Sequence, residues 1–187
     1  WSDANNFVFH LHWHKALFHI GNNANEKALE IYDEQLKQAE GDDFYLDICN
    51  STSLLWRLEM LDIDVGNRWQ SLAAYAENRV CDDELVFSTL HYLMIPARLK
   101  DKDMTDKAYR HFKDWSREDT NQGQVCRDVG LSLADSIIQF GSGDYAAAHQ
   151  TLKGVQSDIK LIGGSHAQRN LFDNFNHYAQ QNEKIAN

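Results

Sequence analysis

Apolar side chains recur along this chain at the pitch of an α-helix, in successive stripes from one end to the other. Phe9, Trp13, Ala16, Leu17 and Ile20 share one helical face, as do Ala28, Leu29, Tyr32, Leu36 and Ala39. The i, i+3, i+4, i+7 spacing returns in Leu54, Leu55, Leu58 and Leu61, and then in Trp69, Leu72, Ala73, Ala76 and Val80. Further stripes are Val86, Leu90, Leu93, Met94 and Ala97; Ala108, Phe112 and Trp115; and Val129, Leu133, Ile137 and Phe140. Tyr145, Ala148, Leu152 and Val155 precede a last group, Leu171, Phe172, Phe175, Tyr178 and Ala179. Strand-like alternation never persists, so the expected fold class is all-α, with about ten helices.

The punctuation agrees. Pro96 is the single proline, and the glycines fall mostly between stripes, as helix interiors require. Asp82-Asp83 and Asp101 to Asp103 each stand before a helix, and Ser165 with Gln168 reads as a capping box after a Gly163-Gly164 stop. No proline-rich or glycine-serine linker divides the chain, so residues 1–187 are expected to form a single helical-repeat domain with a polar tail, Gln181 to Asn187, that frays. The chain opens on Trp1 rather than methionine, which points to a fragment or processed form of something longer.

A repeat lies within the pattern. Tetratricopeptide units are helical hairpins of ~34 residues, with small residues where the two helices touch and a Gly-Asp-Tyr-like turn between them. Gly143-Asp144-Tyr145, followed by Ala146-Ala147-Ala148 and Leu152, reproduces that turn, and Ser136 and Ala148 supply the small contacts. Ala16, Asn23, Ala28 and Tyr32 echo it near the start, whereas residues 41–120 carry only a degenerate version. The expectation is a stack of antiparallel helical hairpins, an α-solenoid, with an irregular helical bundle as the plainer alternative.

Longer blocks carry a family resemblance. They include His10-Leu11-His12-Trp13-His14-Lys15-Ala16-Leu17, Leu46-Asp47 leading to Ser51, Leu55, Arg57 and Leu58, and Val65-Gly66-Asn67-Arg68-Trp69. His91-Tyr92-Leu93-Met94, Arg127-Asp128-Val129-Gly130-Leu131 and Gly163 to Arg169 continue the series. In these blocks the chain resembles the carboxy-terminal half of the tetratricopeptide repeat protein 38 family. The resemblance implies a helical-repeat fold, no assigned reaction, and an absent amino-terminal half that would cover an edge here. Asn50 stands where that family is expected to carry aspartate, and Ser88-Thr89-Leu90 brings no carboxylate ahead of His91, which weakens any site built from acids.

Charge narrows the function classes. Acidic residues outnumber basic ones by 28 to 18, for a net charge of -10, so phosphate backbones and anionic lipid are repelled and no nucleic-acid partner is expected. No apolar run reaches membrane-spanning length, so no membrane association is expected either. Cys49, Cys81 and Cys126 are odd in number and lack CxxC spacing, which fits a reducing, cytoplasmic setting.

Chemistry is sparser. His10 and His14 are i, i+4 partners that could present two imidazoles to one divalent metal, with Asp47 or His91 as a third ligand. Leu11 occupies the place of the glutamate in a HExxH motif, however, and both histidines flank the Phe9/Trp13/Leu17 stripe, where an imidazole also packs well. Arg57, Arg68, Arg127 and Arg169 sit beside apolar positions. They are expected either to bridge helices to Asp47, Asp128 or Asp173, or to line a groove that holds a ligand's carboxylate or phosphate. Trp13, Trp56, Trp69 and Trp115 read first as core. Gly163-Gly164-Ser165 reads as a helix stop and cap rather than a phosphate cradle, and no nucleophile motif is present.

The candidate ligand-binding set is therefore His10, Trp13, His14, Asp47, Arg57, Arg68, Trp69, His91, Arg127, Asp128 and Arg169. The expected function is a binding or scaffold module that takes a protein, peptide or small molecule without a cofactor. A metal-assisted enzyme around His10 and His14 is the alternative, and homo-oligomerisation through a helical edge is a third.

Overall fold

The computed structural model describes residues 7–42 and 44–183. Among them the secondary structure is all helical: nine helices and no strand. In chain order they are α1 (Phe7–Gly21), α2 (25–39), α3 (Tyr45–Glu59), α4 (Arg68–Arg79), α5 (Val86–Leu99), α6 (Lys102–Trp115), α7 (121–142), α8 (Tyr145–Val155) and α9 (His166–Asn182). About ten were expected; Ile159–Ile162 is a single 3-10 turn rather than a further α-helix. Of the polar tail, Gln181 and Asn182 still belong to α9, and residues 184–187 lie outside the described residues, as do residues 1–6. The chain groups into two compact units, residues 1–75 and 76–187.

In the first unit, α1 and α2 are joined by a short turn in which Asn23 takes a left-handed backbone, φ 57°, a region asparagine tolerates better than most residues. α3 packs against α1 and against the π-helical turn Tyr32–Leu36 within α2. Trp13 and Ala16 from α1, Ala28 and Leu36 from α2, and Ile48, Leu54, Leu55 and Leu58 from α3 are all essentially inaccessible. Each large apolar side chain so buried contributes about 1.5–3 kcal/mol. α3 is enclosed on every side, because the twelve consecutive residues Asp47 to Leu58 are all buried. They include Asp47, Asn50, Ser51, Thr52, Ser53 and Arg57, which is unusual for a fully enclosed helix.

In the second unit, α5 packs on α6 and α7, α6 on α7, α7 on α8, and α8 on α9. Gly143 ends α7 in the left-handed region, φ 85°, and Asp144 caps α8 by accepting the Ala147 amide at 3.1 Å, so the Gly-Asp-Tyr segment forms the turn the sequence predicts. Ser136 and Ala148 are both buried. Close approach is enforced at Gly141, where an added Cβ would lie 2.7 Å from the Ala97 carbonyl oxygen of α5. Phe140 stacks on Phe175 with ring centroids 4.6 Å apart, and Tyr145 and Tyr178 close the cluster.

The predicted caps fare unevenly. Ser165 and Gln168 form the full capping box, and Asp101 accepts the Met104 amide at 3.0 Å. Asp82-Asp83 does not cap α5. The Val86 amide is taken instead by Gln122 Oε1 at 2.9 Å, while the Asp82 carboxylate pairs with Arg79 at 3.1 Å.

Candidate functional site

Two sequence candidates on α1, His10 and Trp13, face a third, Arg57 of α3, together with Asn50 and Ser53 of that helix, and helix pitch explains how. Asn50, Ser53 and Arg57 recur at i, i+3, i+7 on one face of α3. His10 and Trp13 face them from α1. His10 Nδ1 lies 3.1 Å from Asn50 Oδ1, and Trp13 Nε1 donates to Ser53 Oγ at 3.0 Å. Arg57 donates to the Ser53 carbonyl at 3.2 Å, with its guanidinium 5.6 Å from the centroid of the Trp13 ring. The ring of His10 stacks on Trp13 at 5.2 Å, and exposed His14 meets His10 edge-on at 4.7 Å.

Burial sets the electrostatics of this cluster. It lowers the Arg57 guanidinium to about 9, which still leaves a cation at neutral pH. The His14 pKa is lowered by burial first and by neighbouring His10 second, which favours the neutral imidazole. Asp47 is enclosed on the same helix, and after burial its charge is the next cause that pushes the Cys49 thiol up. Asn50 Nδ2 and Thr52 Oγ1 are buried polar atoms without a hydrogen-bond partner among the described residues.

A second polar group lies beside it, built around a residue that sequence reasoning missed. Glu40, in the 3-10 turn that ends α2, is only 3% exposed. It accepts the Tyr32 hydroxyl at 2.9 Å and the Ser71 hydroxyl at 3.2 Å. Burial raises its carboxyl pKa, against the opposing effect of the hydroxyls of Tyr32, Ser51 and Ser71. Tyr32 is raised as well, by burial and then by the Glu40 charge. Just outside, Arg68 forks onto Asp33 with contacts of 2.9 and 2.6 Å, and this pair raises the guanidinium's pKa. Trp69 packs edge-on against Trp56 at 6.1 Å, and its indole Nε1 is buried without a hydrogen-bond partner among the described residues.

The remaining candidates belong to the second unit, and each has local partners. His91 donates from Nδ1 to the Phe87 carbonyl one turn back, at 2.8 Å. Arg127, in the π-helical turn Cys126–Gly130, donates to the Ser116 carbonyl at 2.6 Å and to Gln124 Oε1. Asp128 accepts Gln124 Nε2 at 2.6 Å. Arg169 donates to the carbonyls of Gly163 and Gly164, closing the turn before its own helix. Of the four arginines, Arg68 makes a carboxylate fork, and its partner is Asp33 rather than Asp47, Asp128 or Asp173.

Among the described residues, no group of three or more His, Cys, Asp or Glu side chains is placed to hold a metal ion. None of their helices is long and apolar enough to cross a membrane. No protein-family model matches the chain, and no solved structure matches it significantly.

Proposed function

We propose that this protein is a helical-repeat binding module of the tetratricopeptide type, akin to the tetratricopeptide repeat protein 38 family, and that its occupant is an amphipathic helix from a partner protein. The succession of short-linked helices in the second unit, with small residues at their contacts, supports the repeat architecture. The observation that carries the binding reading is the outward face of α1. Phe7, Leu11, His14 and Phe18 recur at i, i+4, i+7, i+11 along one face of α1. Phe7 is 53% and Phe18 68% exposed. An apolar stripe at helical spacing complements the stripe of another helix. Charge defines the rest of the partner: α1 has no acidic residue, and it carries Lys15 with several histidines in an otherwise acidic protein. Acidic flanks on the incoming helix therefore fit.

The test is fluorescence anisotropy with synthetic amphipathic helical peptides whose polar face is rich in Asp and Glu. Saturable binding that Phe18→Ser abolishes is expected. Absence of binding by every such peptide, or undiminished binding to the variant, would remove this reading.

A further inference from the structure

One helical turn separates His10 from His14, and their ring centroids stand 4.7 Å apart with planes at 78°. Coordination geometry supplies the comparison. An imidazole nitrogen binds zinc at about 2.0–2.1 Å, which places the ring centroid about 3.2 Å from the ion. Two rings on one ion, at angles from about 90° to about 109°, then have centroids about 4.5–5.2 Å apart. The observed spacing falls inside that interval.

In the tautomer that donates from Nδ1 to Asn50 Oδ1, across their 3.1 Å contact, His10 keeps the lone pair on Nε2. An outer partner that holds the non-coordinating nitrogen is the usual support of a metal-bound histidine. His14 is exposed to solvent, and His10 beneath it is 7% exposed.

We propose that His10 and His14 form a two-histidine chelate for a divalent ion of the zinc, nickel or copper class, oriented by Asn50. Imidazole is the ligand these ions favour. The chelate supplies two protein ligands, and the remaining coordination positions are left to water. The competing explanation is that both rings only pack against Trp13, at 5.2 and 4.9 Å. Packing alone gives no preference for these two histidines over His12 and His19 on the same helix.

The experiment uses the full chain without an affinity tag, titrated calorimetrically with Zn²⁺ and separately with Cu²⁺. One ion per chain is expected, and Cu²⁺ is expected to broaden the imidazole resonances of His10 and His14 ahead of all others. His14→Ala alters an exposed side chain. It should weaken binding by more than the about 10–100-fold that loss of an outer partner costs. His12→Ala and His19→Ala should leave the affinity unchanged. A wild-type chain that binds no ion, a His14→Ala chain that binds as tightly as wild type, or an equal loss in His12→Ala would each overturn the proposal.

Discussion

α3 and α5 are the enclosed helices of their respective units, each with twelve consecutive buried residues, yet they place their polar side chains in opposite ways. In α5 the buried polar groups turn back on their own chain: Ser88 and Thr89 bond the Leu85 carbonyl, and His91 bonds that of Phe87. In α3 Asn50 and Ser53 reach across to side chains of α1. Bonds to the local backbone leave a helix surface that only shape can match. Side-chain bonds between helices also fix which residues stand opposite each other. The surroundings of α3 are thus specified partly by polar pairing and those of α5 mainly by close packing, with Gly141 against Ala97 as the tightest glycine contact between α5 and α7. Farther along the second unit, side chains pair between helices as well, His149 with Asn176 at 2.7 Å and Thr151 with Gln139 at 2.9 Å.

Trp13 tests the first half of that contrast most severely, since it is fully buried, donates to Ser53 and underlies Arg57. Trp13→Ala should cost about 3–5 kcal/mol in urea unfolding. Trp13→Phe keeps an aromatic ring but removes the indole donor to Ser53 Oγ, which retains its bond to the Asn50 carbonyl at 3.2 Å. A smaller loss is therefore expected, of which the lost hydrogen bond accounts for about 0.5–1.5 kcal/mol. If the phenylalanine variant were as stable as wild type, pairing across α1 and α3 would contribute nothing.

Gly141 tests the second half. Alanine is the better helix former by up to about 1 kcal/mol, so on propensity alone Gly141→Ala would stabilise α7. Its Cβ would instead meet the Ala97 carbonyl oxygen at 2.7 Å, and the strain should reverse the sign, with a loss of about 1–3 kcal/mol. Gly154 in α8 has nothing within 4 Å of its added Cβ, so Gly154→Ala should gain up to about 1 kcal/mol. Matching signs in thermal unfolding of the two variants would show that α5 and α7 are not in close contact there.

These contrasts also mark how far the sequence could be read. Helical spacing located every stripe that became a helix, and the Gly143-Asp144-Tyr145 turn and the Ser165/Gln168 box are local chemistry that short sequence separations encode. The complete enclosure of α3 was not legible, because Leu54, Leu55 and Leu58 mark one face only, and the cover over Asn50 and Ser53 comes from residues forty positions away. Glu40 was hidden for another reason. Its position depends on the π-helical turn Tyr32–Leu36 and the 3-10 turn after it, and such departures from the 3.6-residue pitch shift the register of everything downstream. The arginines' individual partners were not legible, because long side chains reach several acceptors: Arg68 pairs with Asp33, while Arg127 and Arg169 bond backbone carbonyls.

Glu40 offers a pH-resolved version of the comparison. Burial, the largest cause, lifts its pKa, so the folded chain holds this proton more tightly than the unfolded chain does. No stability is at stake below the ordinary carboxyl range, and stability falls as pH rises from that range through the folded value. Glu40→Gln keeps an acceptor for Tyr32 but cannot ionise. The unfolding free energy of the variant relative to wild type should therefore shift in the variant's favour as pH rises above the ordinary carboxyl range. Subtraction cancels the Asp33–Arg68 pair, which both chains share, and a pH-independent difference would mean that Glu40 is not desolvated.

The smallest effect is expected at Arg68 and Asp33, whose side chains are 22% and 46% exposed. They join α4 to α2 across 35 residues, whereas Arg79 and Asp82 in the second unit pair across three. Solvent and salt screen both pairs, so a double-mutant cycle on Arg68→Ala and Asp33→Ala should give a coupling of only about 0.2–1 kcal/mol, shrinking as salt is raised. The bidentate fork places it toward the upper end of that interval. A salt-independent coupling above about 2 kcal/mol would instead place Arg68 in the buried polar interior beside Glu40, and polar specification of the first unit would then extend out to its surface.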